Sequence, residues 1–441
     1  MSELLAHRSK SNMHNSSFDL TLDQITKIEG AAGLDVSVRG GKVVDLKLKL
    51  SEYKRFYTQG VRGKSVPAVP QLLARICGTC SNAHILCSIE ACEKALGIVP
   101  SAQTMIMRRL AINGLMIRDH GLHLYVFALP DLLGKDSILE FDESNPEEKQ
   151  FLEDTFCVKK AGNMLSVAFG GRSVHAPYLT IGGFLKFPSA DDLTGCKNFL
   201  IKARPAAQRL VKLFSDSQFK FYDQTNFVGL IGENRYDFLE GKIKTSKDGV
   251  IEEANFRQHL EHQVIPYSQA SGYKFKRETY MVGALARVNL AKEKLNENTI
   301  KNVGYVLSRF PSTNVFDNNL AQAIEILHCI DDSLLLLGSN QFNPEKPAST
   351  QKKDGVGVGV IEAPRGTLYH MLEIKDNKVA RAEIIVPTGQ NQISIEKNLV
   401  RLVEENIDLD KEQLSHEIEK FVRAYDPCIS CATHFLKINF H

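Results

Sequence analysis

The chain has 441 residues, 43% hydrophobic and 24% charged, an ordinary globular composition with length enough for a large enzyme subunit. Its net charge of +2 provides no polybasic field, which argues against nucleic acid or an anionic membrane surface as partner. Nine cysteines are too few for a disulfide scaffold at this length; they fit a reducing compartment, with some thiols as ligands and the rest as small buried hydrophobes.

Met1 to Phe18 is polar and rich in Ser and Asn, without an apolar run suited to a signal peptide, and residues 1–17 are expected to be flexible. Strands are predicted at Phe18–Ile28, Leu34–Arg39 and Lys42–Leu50, with Arg39-Gly40-Gly41-Lys42 as a hairpin turn. A helix from about Ala83 through Leu96 places Ile85, Ile89, Ala91 and Leu96 on one face. Gln103–Leu129 reads as a long helix that Pro130 ends. Met116, Asp119 and His123 share a face of it, which either looks into a site or meets solvent. Asp142–Glu153 reads as an acidic loop before a further helix, and Gly170–Pro177 with Gly182-Gly183 as a glycine-rich connection.

Asp191–Ser215 and Asn314–Leu337 read as helices, and residues 216–313 mix short strands with helical pieces. Leu320–Leu337 is the most apolar stretch, but Gln322, Glu325, His328, Asp331 and Asp332 interrupt it. It is therefore a buried core helix rather than a membrane span, which needs about 20 apolar residues. Strands return at Val356–Glu362, Thr367–Ile374 and Val379–Val386, turning at Asp376-Asn377, and a final helix spans Leu409–Ala424. No repeat or low-complexity linker divides the chain. The predicted fold is α+β, one unit over residues 1–441, with a central bundle of long helices and β segments toward both ends.

The chemistry lies in two Cys-x-x-Cys pairs, Cys77-Gly78-Thr79-Cys80 and Cys428-Ile429-Ser430-Cys431. Two intervening residues let both sulfurs of a pair point at one metal, and thiolates favour soft or borderline metals. Together the pairs make a tetrathiolate site that joins the start of the chain to its end. Structural zinc and a four-Cys iron–sulfur cluster are both open on spacing alone. Zinc ribbons usually keep their pairs within a few tens of residues, whereas more than three hundred separate these. Cys87, Cys92, Cys157, Cys196 and Cys329 read as buried hydrophobes.

The sequence around the pairs, Arg75-Ile76-Cys77-Gly78-Thr79-Cys80-Ser81-Asn82-Ala83-His84 and Asp426-Pro427-Cys428-Ile429-Ser430-Cys431-Ala432-Thr433-His434, closely resembles the two signatures of nickel–iron hydrogenase large subunits. The resemblance extends to Lys27-Ile28-Glu29-Gly30, Asp119-His120, Gly171-Arg172-Ser173-Val174-His175, Glu362-Ala363-Pro364-Arg365-Gly366 and Val386-Pro387-Thr388, in matching order. It points to the cytoplasmic, multisubunit hydrogenases that couple to soluble carriers.

What the resemblance implies is specific. Nickel is held by four thiolates, Cys77 and Cys428 terminal, Cys80 and Cys431 bridging to an iron that carries carbon monoxide and cyanide. Arg365 overhangs the nickel–iron edge. Pro364, Pro387 and Thr388 surround the cyanides, and the Thr388 hydroxyl can donate a hydrogen bond to one. Asp119 and Asp426 pair with arginines near the cavity, and His84 hydrogen-bonds a bridging sulfur. Glu29 exchanges protons with the Cys428 thiolate.

Three departures stand out. Ala31 replaces the usual histidine after Lys27-Ile28-Glu29-Gly30. Relatives hold a second metal, magnesium or iron, with a carboxylate, the backbone carbonyl matching Ile384 and the histidine matching His434. Thr58 replaces that carboxylate here, so water or Gln59 would have to complete the site. Relatives commonly end at the histidine matching His434 after proteolytic maturation, whereas Phe435–His441 follows here as a cleavable extension or a permanent tail.

The implied activity is reversible oxidation of dihydrogen. No spare Cys cluster and no Gly-x-Gly-x-x-Gly fingerprint is present. Electrons must leave through a partner, and the resemblance implies an iron–sulfur small subunit, further subunits carrying nicotinamide, flavin or deazaflavin, and a maturation machinery. The rivals are a hydrogen-sensing regulator with the same site, a non-catalytic subunit, which retention of all four cysteines argues against, and a structural zinc protein.

Overall fold

The computed structural model describes residues 16–53 and 56–433. Residues 1–15, Lys54, Arg55, His434 and the tail 435–441 lie outside the described residues, and with them most of the expected flexible start. Ser16 and Ser17 are tied down: the Ser16 carbonyl accepts from Gly41 N at 2.9 Å and the Ser17 hydroxyl from Gly40 N at 3.0 Å.

β1 (Phe18–Leu22), β2 (Ala32–Arg39) and β3 (Lys42–Leu50) form an antiparallel sheet in that order. Gly40 and Gly41 take positive φ of 56° and 78°, as the predicted tight turn requires. β1 stops six residues short of the predicted Ile28. Beyond it the backbone hydrogen bonds go to the far end of the chain instead of the sheet: Thr26 N donates to Glu419 Oε1 at 3.1 Å, and the Glu29 carbonyl accepts from Ile429 N at 2.9 Å.

Short helices α1 (Tyr57–Gly60) and α2 (Val69–Leu73) precede α3 (Ser81–Leu96), which starts at Cys80 and stops at Gly97, in the left-handed conformation. α4 (Ala102–Leu122) is capped by Ser101, whose hydroxyl accepts from Thr104 N at 3.0 Å. It does not end at Pro130. A π-helical turn, His123–Ala128, carries it into α5 (Leu129–Leu132), where Pro130 sits in the first turn and its missing N–H costs nothing.

α6 (Pro146–Gly170) begins inside the stretch predicted as an acidic loop. Asn145 caps it, Pro146 sets the first helical φ, and Glu147 and Glu148 face the positive end of the helix dipole. β4 (Leu179–Thr180) and β5 (Gly183–Phe184) form a small hairpin before α7 (Ala190–Ser215), which opens on a capping box of Ser189 and Asp192.

The stretch left unordered by sequence folds as β6 (Asn226–Ile231), β7 (Lys242–Thr245), β8 (Gly249–Ile251), β9 (Leu260–Val264), β10 (Ser271–Phe275) and β11 (Tyr280–Met281), then α8 (Ala284–Ala291) and α9 (Glu297–Leu307). Its main sheet has the order β11-β6-β7-β8. α10 (Asp317–Ser339) follows, then the antiparallel sheet β12 (Gly355–Ala363), β13 (Gly366–Lys375) and β14 (Lys378–Ile385), and α11 (Pro387–Glu405), α12 (Lys411–Ala424) and α13 (Ile429–Ala432).

α4, α6, α7 and α10 pack in a ring, each against the next and α10 back on α4, which is the central bundle expected from the sequence. α10 is buried along most of its length, and its polar interruptions are internal contacts. Asp331 binds Arg204 and Asp332 binds Arg109, while Gln322 bonds Asp426 and Glu325 binds Arg287.

The C-terminal sheet lies between α3 on one face and a second apolar core, including Val228, Leu230, Phe256 and Tyr280, on the other. Gly355, Gly357 and Gly359 on β12 face the carbonyls of Ala95, Ala91 and Cys87 on α3. Two strand residues advance about 6.6 Å and four helix residues about 6 Å, so the two periods run in step and backbone meets backbone. A Cβ at Gly357 would overlap the Ala91 carbonyl oxygen. Gly357→Ala is therefore expected to lower stability by about 1–3 kcal/mol. Gly304→Ala, which would meet nothing within 4 Å, is expected to be neutral or mildly stabilising. Denaturant midpoints check both, and an unchanged midpoint for Gly357→Ala would refute the close approach.

Candidate metal centre

Local backbone brings the two Cys pairs together. Cys77 follows a 3-10 turn in extended conformation, and Cys80 is the N-cap of α3. Arg118 Nη2 donates to the Thr79 carbonyl at 2.6 Å and holds the loop between them. At the other end α12 delivers Asp426, at φ 49°, and Cys428 caps α13. The loop bearing Glu29 clasps this turn. Glu29 and Cys428 form an isolated parallel bridge, and a Cβ on Gly30, at φ 88°, would come within 2.7 Å of Ile429 Cβ. Asp131 anchors the loop from below, binding both Lys27 Nζ (2.8 Å) and Arg423 Nε (2.7 Å).

All four Sγ atoms lie within 4.8 Å of one another and all four cysteines are buried. Cys77 and Cys428 Sγ are 3.3 Å apart, Cys80 and Cys431 3.0 Å. None is in a disulfide. Hydrogen bonds from Cys428, Cys431 and Cys80 hold Cys77 well below the ordinary thiol range. Burial pushes Cys428 and Cys431 well above it. Four buried thiols this close resist ionising together, and a divalent cation is the group that would let them do so. The donor set fits a soft or borderline metal.

Beside the sulfurs lies a small cavity of ≈ 10 Å³. Cys80, His84, Cys428 and Cys431 form one wall; Pro364, Arg365, Pro387 and Thr388 form much of the other, with Ala363 and Leu368. The Arg365 guanidinium is fully engaged. Nη1 donates to Asp119 Oδ1 (2.9 Å) and Oδ2 (3.0 Å), Nη2 to Asp426 Oδ1 (2.9 Å) and Nε to the Asp426 carbonyl (2.9 Å). Asp119 and Asp426 thus share one arginine. Gln322 Nε2 donates to Asp426 Oδ2 at 2.9 Å. The polar face of α4 looks inward: Asp119 meets Arg365, and His123 bonds Gln322 Oε1 (2.6 Å) and the Arg423 carbonyl (2.9 Å).

His84 Nε2 is 3.7 Å from Cys431 Sγ, and its Nδ1 is 3.2 Å from His370 Nε2. Burial drops the His84 pKa to about 4, so the imidazole is neutral. The Thr388 hydroxyl accepts from Cys428 N at 2.9 Å, leaving its own proton to donate elsewhere. Glu29 Oε2 accepts from Cys428 Sγ and from Ser430 N, both at 3.1 Å. Burial raises the Glu29 carboxyl above its ordinary range.

A family model for nickel-dependent hydrogenase matches residues 59–167 and 217–434. Sulfhydrogenase 1 subunit alpha of Pyrococcus furiosus is 32% identical, aligning 97% of this chain with all of that one. The NAD-reducing hydrogenase HoxS subunit beta of Cupriavidus necator is 27% identical, with 95% of each chain covered. The fold matches a crystal structure of an NAD+-reducing [NiFe]-hydrogenase in the H2-reduced state, with TM-score 0.86 and 24% identity over 95% of this chain and all of that one. The chain belongs to the nickel-dependent hydrogenase family.

In this hydrogenase subunit the four cysteines lie together, with His84, Pro364, Arg365, Pro387 and Thr388 around the cavity beside them. Of the residues expected at a second metal site, Ile384 lies on β14 opposite His370, α1 packs on the same strand, and Thr58 Oγ1 donates to Gln59 Oε1 at 2.7 Å. His434 lies outside the described residues. Of the other cysteines, Cys87, Cys92, Cys196 and Cys329 are buried as expected, while Cys157 is half-buried.

Sequence reading missed the arginines around the site. Arg118 and Arg423 hold its two loops, and Arg287 stands behind Arg365. None sits in a spacing that marks it. The only hints were their future partners: Glu362 in the Glu362–Gly366 motif, and Glu325 interrupting α10.

Proposed function

We propose that this subunit catalyses the reversible oxidation of dihydrogen to two protons and two electrons, at a nickel–iron centre that Cys77, Cys80, Cys428 and Cys431 would hold. The observation that carries the reading is the convergence of four thiols from both chain ends beside a cavity walled by Pro364, Arg365, Pro387 and Thr388. When bound, the bimetallic centre supplies the Lewis-acid and redox chemistry for heterolytic cleavage.

The protein's own groups do the rest. Pro364, Ala363 and Leu368 give the cavity an apolar lining suited to a small uncharged substrate and to carbon monoxide and cyanide on iron. Thr388 has a free proton for one cyanide. The Arg365 guanidinium keeps fixed positive charge over the cavity, where a water-poor site makes it most effective. His84 steadies the Cys431 sulfur. Glu29 Oε2, at 3.1 Å, is placed to take the proton from Cys428 Sγ and pass it outward.

Electrons leave by the shortest way out. Arg75 and Gly78, flanking Cys77, are exposed, so an iron–sulfur partner seated there would stand close to the metals. Further subunits would carry the nicotinamide, flavin or deazaflavin chemistry. No helix among the described residues is long and apolar enough to cross a membrane, which is compatible with the proposed cytoplasmic setting. Magnesium or iron at the Ile384 and His434 site would need water or Gln59 in place of the missing carboxylate.

Infrared spectroscopy of the purified complex tests the reading. Carbon monoxide and cyanide stretches are expected, with one nickel per subunit. Zinc in stoichiometric amount with no such bands would overturn it. Arg365→Lys supplies a further check. Lysine keeps the charge but cannot span Asp119 and Asp426 with a planar fork. Turnover is expected to fall about 10²–10³-fold with metals retained; near-parental turnover would reduce Arg365 to a structural role.

A further inference from the structure

Behind Arg365 lies a second, wholly buried ion cluster, none of whose charged residues lines the metal cavity. Its centre is Arg287 on α8, whose five N–H donors all have partners. Nε and Nη2 grip Glu325 on α10 at 2.6 and 2.7 Å. Nη1 donates to Glu362 Oε2 at 2.7 Å and to the Ala363 carbonyl at 3.1 Å. Nη2 donates also to the Pro364 carbonyl at 3.1 Å. The carboxylates are themselves satisfied. Glu362 accepts from Leu230 N and Thr367 Oγ1, both at 2.7 Å. Glu325 accepts from Tyr236 Oη at 2.5 Å and lies 2.9 Å from His120 Nε2.

The two carbonyls matter because of where they sit. Ala363 closes β12, Gly366 opens β13, and these two residues face each other in the ladder. The loop between them is Pro364 and Arg365 alone. Arg287 therefore holds the backbone immediately before Arg365, and Asp119 and Asp426 hold its guanidinium. α4 references both arginines through adjacent residues, Asp119 directly and His120 by way of Glu325. Buried ion clusters seldom stabilise more than packed apolar groups would, and their best-attested use is to impose one arrangement.

We propose that Arg287 is a positioning residue for catalysis: it clamps the Pro364-Arg365 hairpin so that the Arg365 guanidinium keeps its place over the metal cavity. This rests on the reading of Arg365 given above. A rigid mount matters because a fixed charge loses much of its effect when it is free to move away from the reacting atoms. Lysine at 287 would leave one charge between the carboxylates, but with three donors it cannot reach both of them and both carbonyls.

The test compares the purified parent complex with Arg287→Lys and Glu325→Gln by metal content, infrared bands, kcat and KM for dihydrogen, and thermal midpoint. Cyanide stretches respond to neighbouring charges and hydrogen-bond donors, so they report the place of Arg365 independently of turnover. Arg287→Lys is expected to keep nickel and iron, shift the cyanide bands and lower kcat at least tenfold with KM within twofold. Glu325→Gln, which loosens one grip on Arg287, is expected to shift the bands less and in the same direction. Parental bands and parental kcat alongside a lowered thermal midpoint would overturn the proposal and leave Arg287 purely structural. If Arg287→Lys fails to load metal, Glu325→Gln decides by the same criterion. Absence of these bands from the parent would instead overturn the nickel–iron reading itself.

Discussion

Cys428→Ala is expected to abolish nickel retention and dihydrogen turnover together. The alanine removes a thiol and also the donor of the Glu29 contact, and it leaves three sulfurs where the site calls for four. Among the described residues the metal-ligating cluster at this place consists of Cys77, Cys80, Cys428 and Cys431 alone. Glu29 is close enough to be considered as a substitute, but its Oε2 is already bound by Ser430 N at 3.1 Å. The fold should survive, because the loop is also held by backbone bonds such as Ile429 N to the Glu29 carbonyl. Metal analysis and hydrogen uptake on the purified complex check this. Full nickel content with normal activity would sink the four-thiolate site.

Glu29→Gln is expected to separate proton transfer from metal loading. The amide oxygen can still accept from Ser430 N, so the clasp around the turn at Cys428 persists. What is lost is a group able to take a proton from Cys428 Sγ, and a positioned acid–base group is worth about 10²–10⁴-fold in rate. Both metals and the diatomic stretches should match the parent, while hydrogen–deuterium exchange and net turnover both fall by that factor. If the variant exchanges isotopes as fast as the parent, protons leave by another route and Glu29 holds only the loop.

The sequence reading of the fold succeeded where local physics dominates. The Gly40-Gly41 turn, the three C-terminal strands and the four bundle helices follow from glycine conformation, period-two alternation and long apolar helical runs. It failed where a signal was present but was weighed as something else. Asn145-Pro146-Glu147-Glu148 looks like a polar loop, yet each of its residues favours the first turn of a helix, and α6 starts there. α11 has no counterpart in the sequence reading, although Pro387 at its first position is a helix-start signal. Pro130 reads as a stop because proline breaks regular helical geometry, and the π-helical turn before it absorbs that break.

The four thiols were legible in the sequence itself: two Cys-x-x-Cys pairs specify donor type and number, while the roles expected of His84 and Glu29 come from the family resemblance. Only the tertiary structure decided which charges face each other. Asp119, Arg365 and Asp426 are far apart in the chain and joined by no period or spacing; α4, the β12–β13 hairpin and the end of α12 bring them into one contact. The same holds for Arg287 with Glu325 and Glu362. A buried charge is tolerated only where its partner is already in place, and that partner is chosen by how whole elements pack, not by any neighbour along the chain.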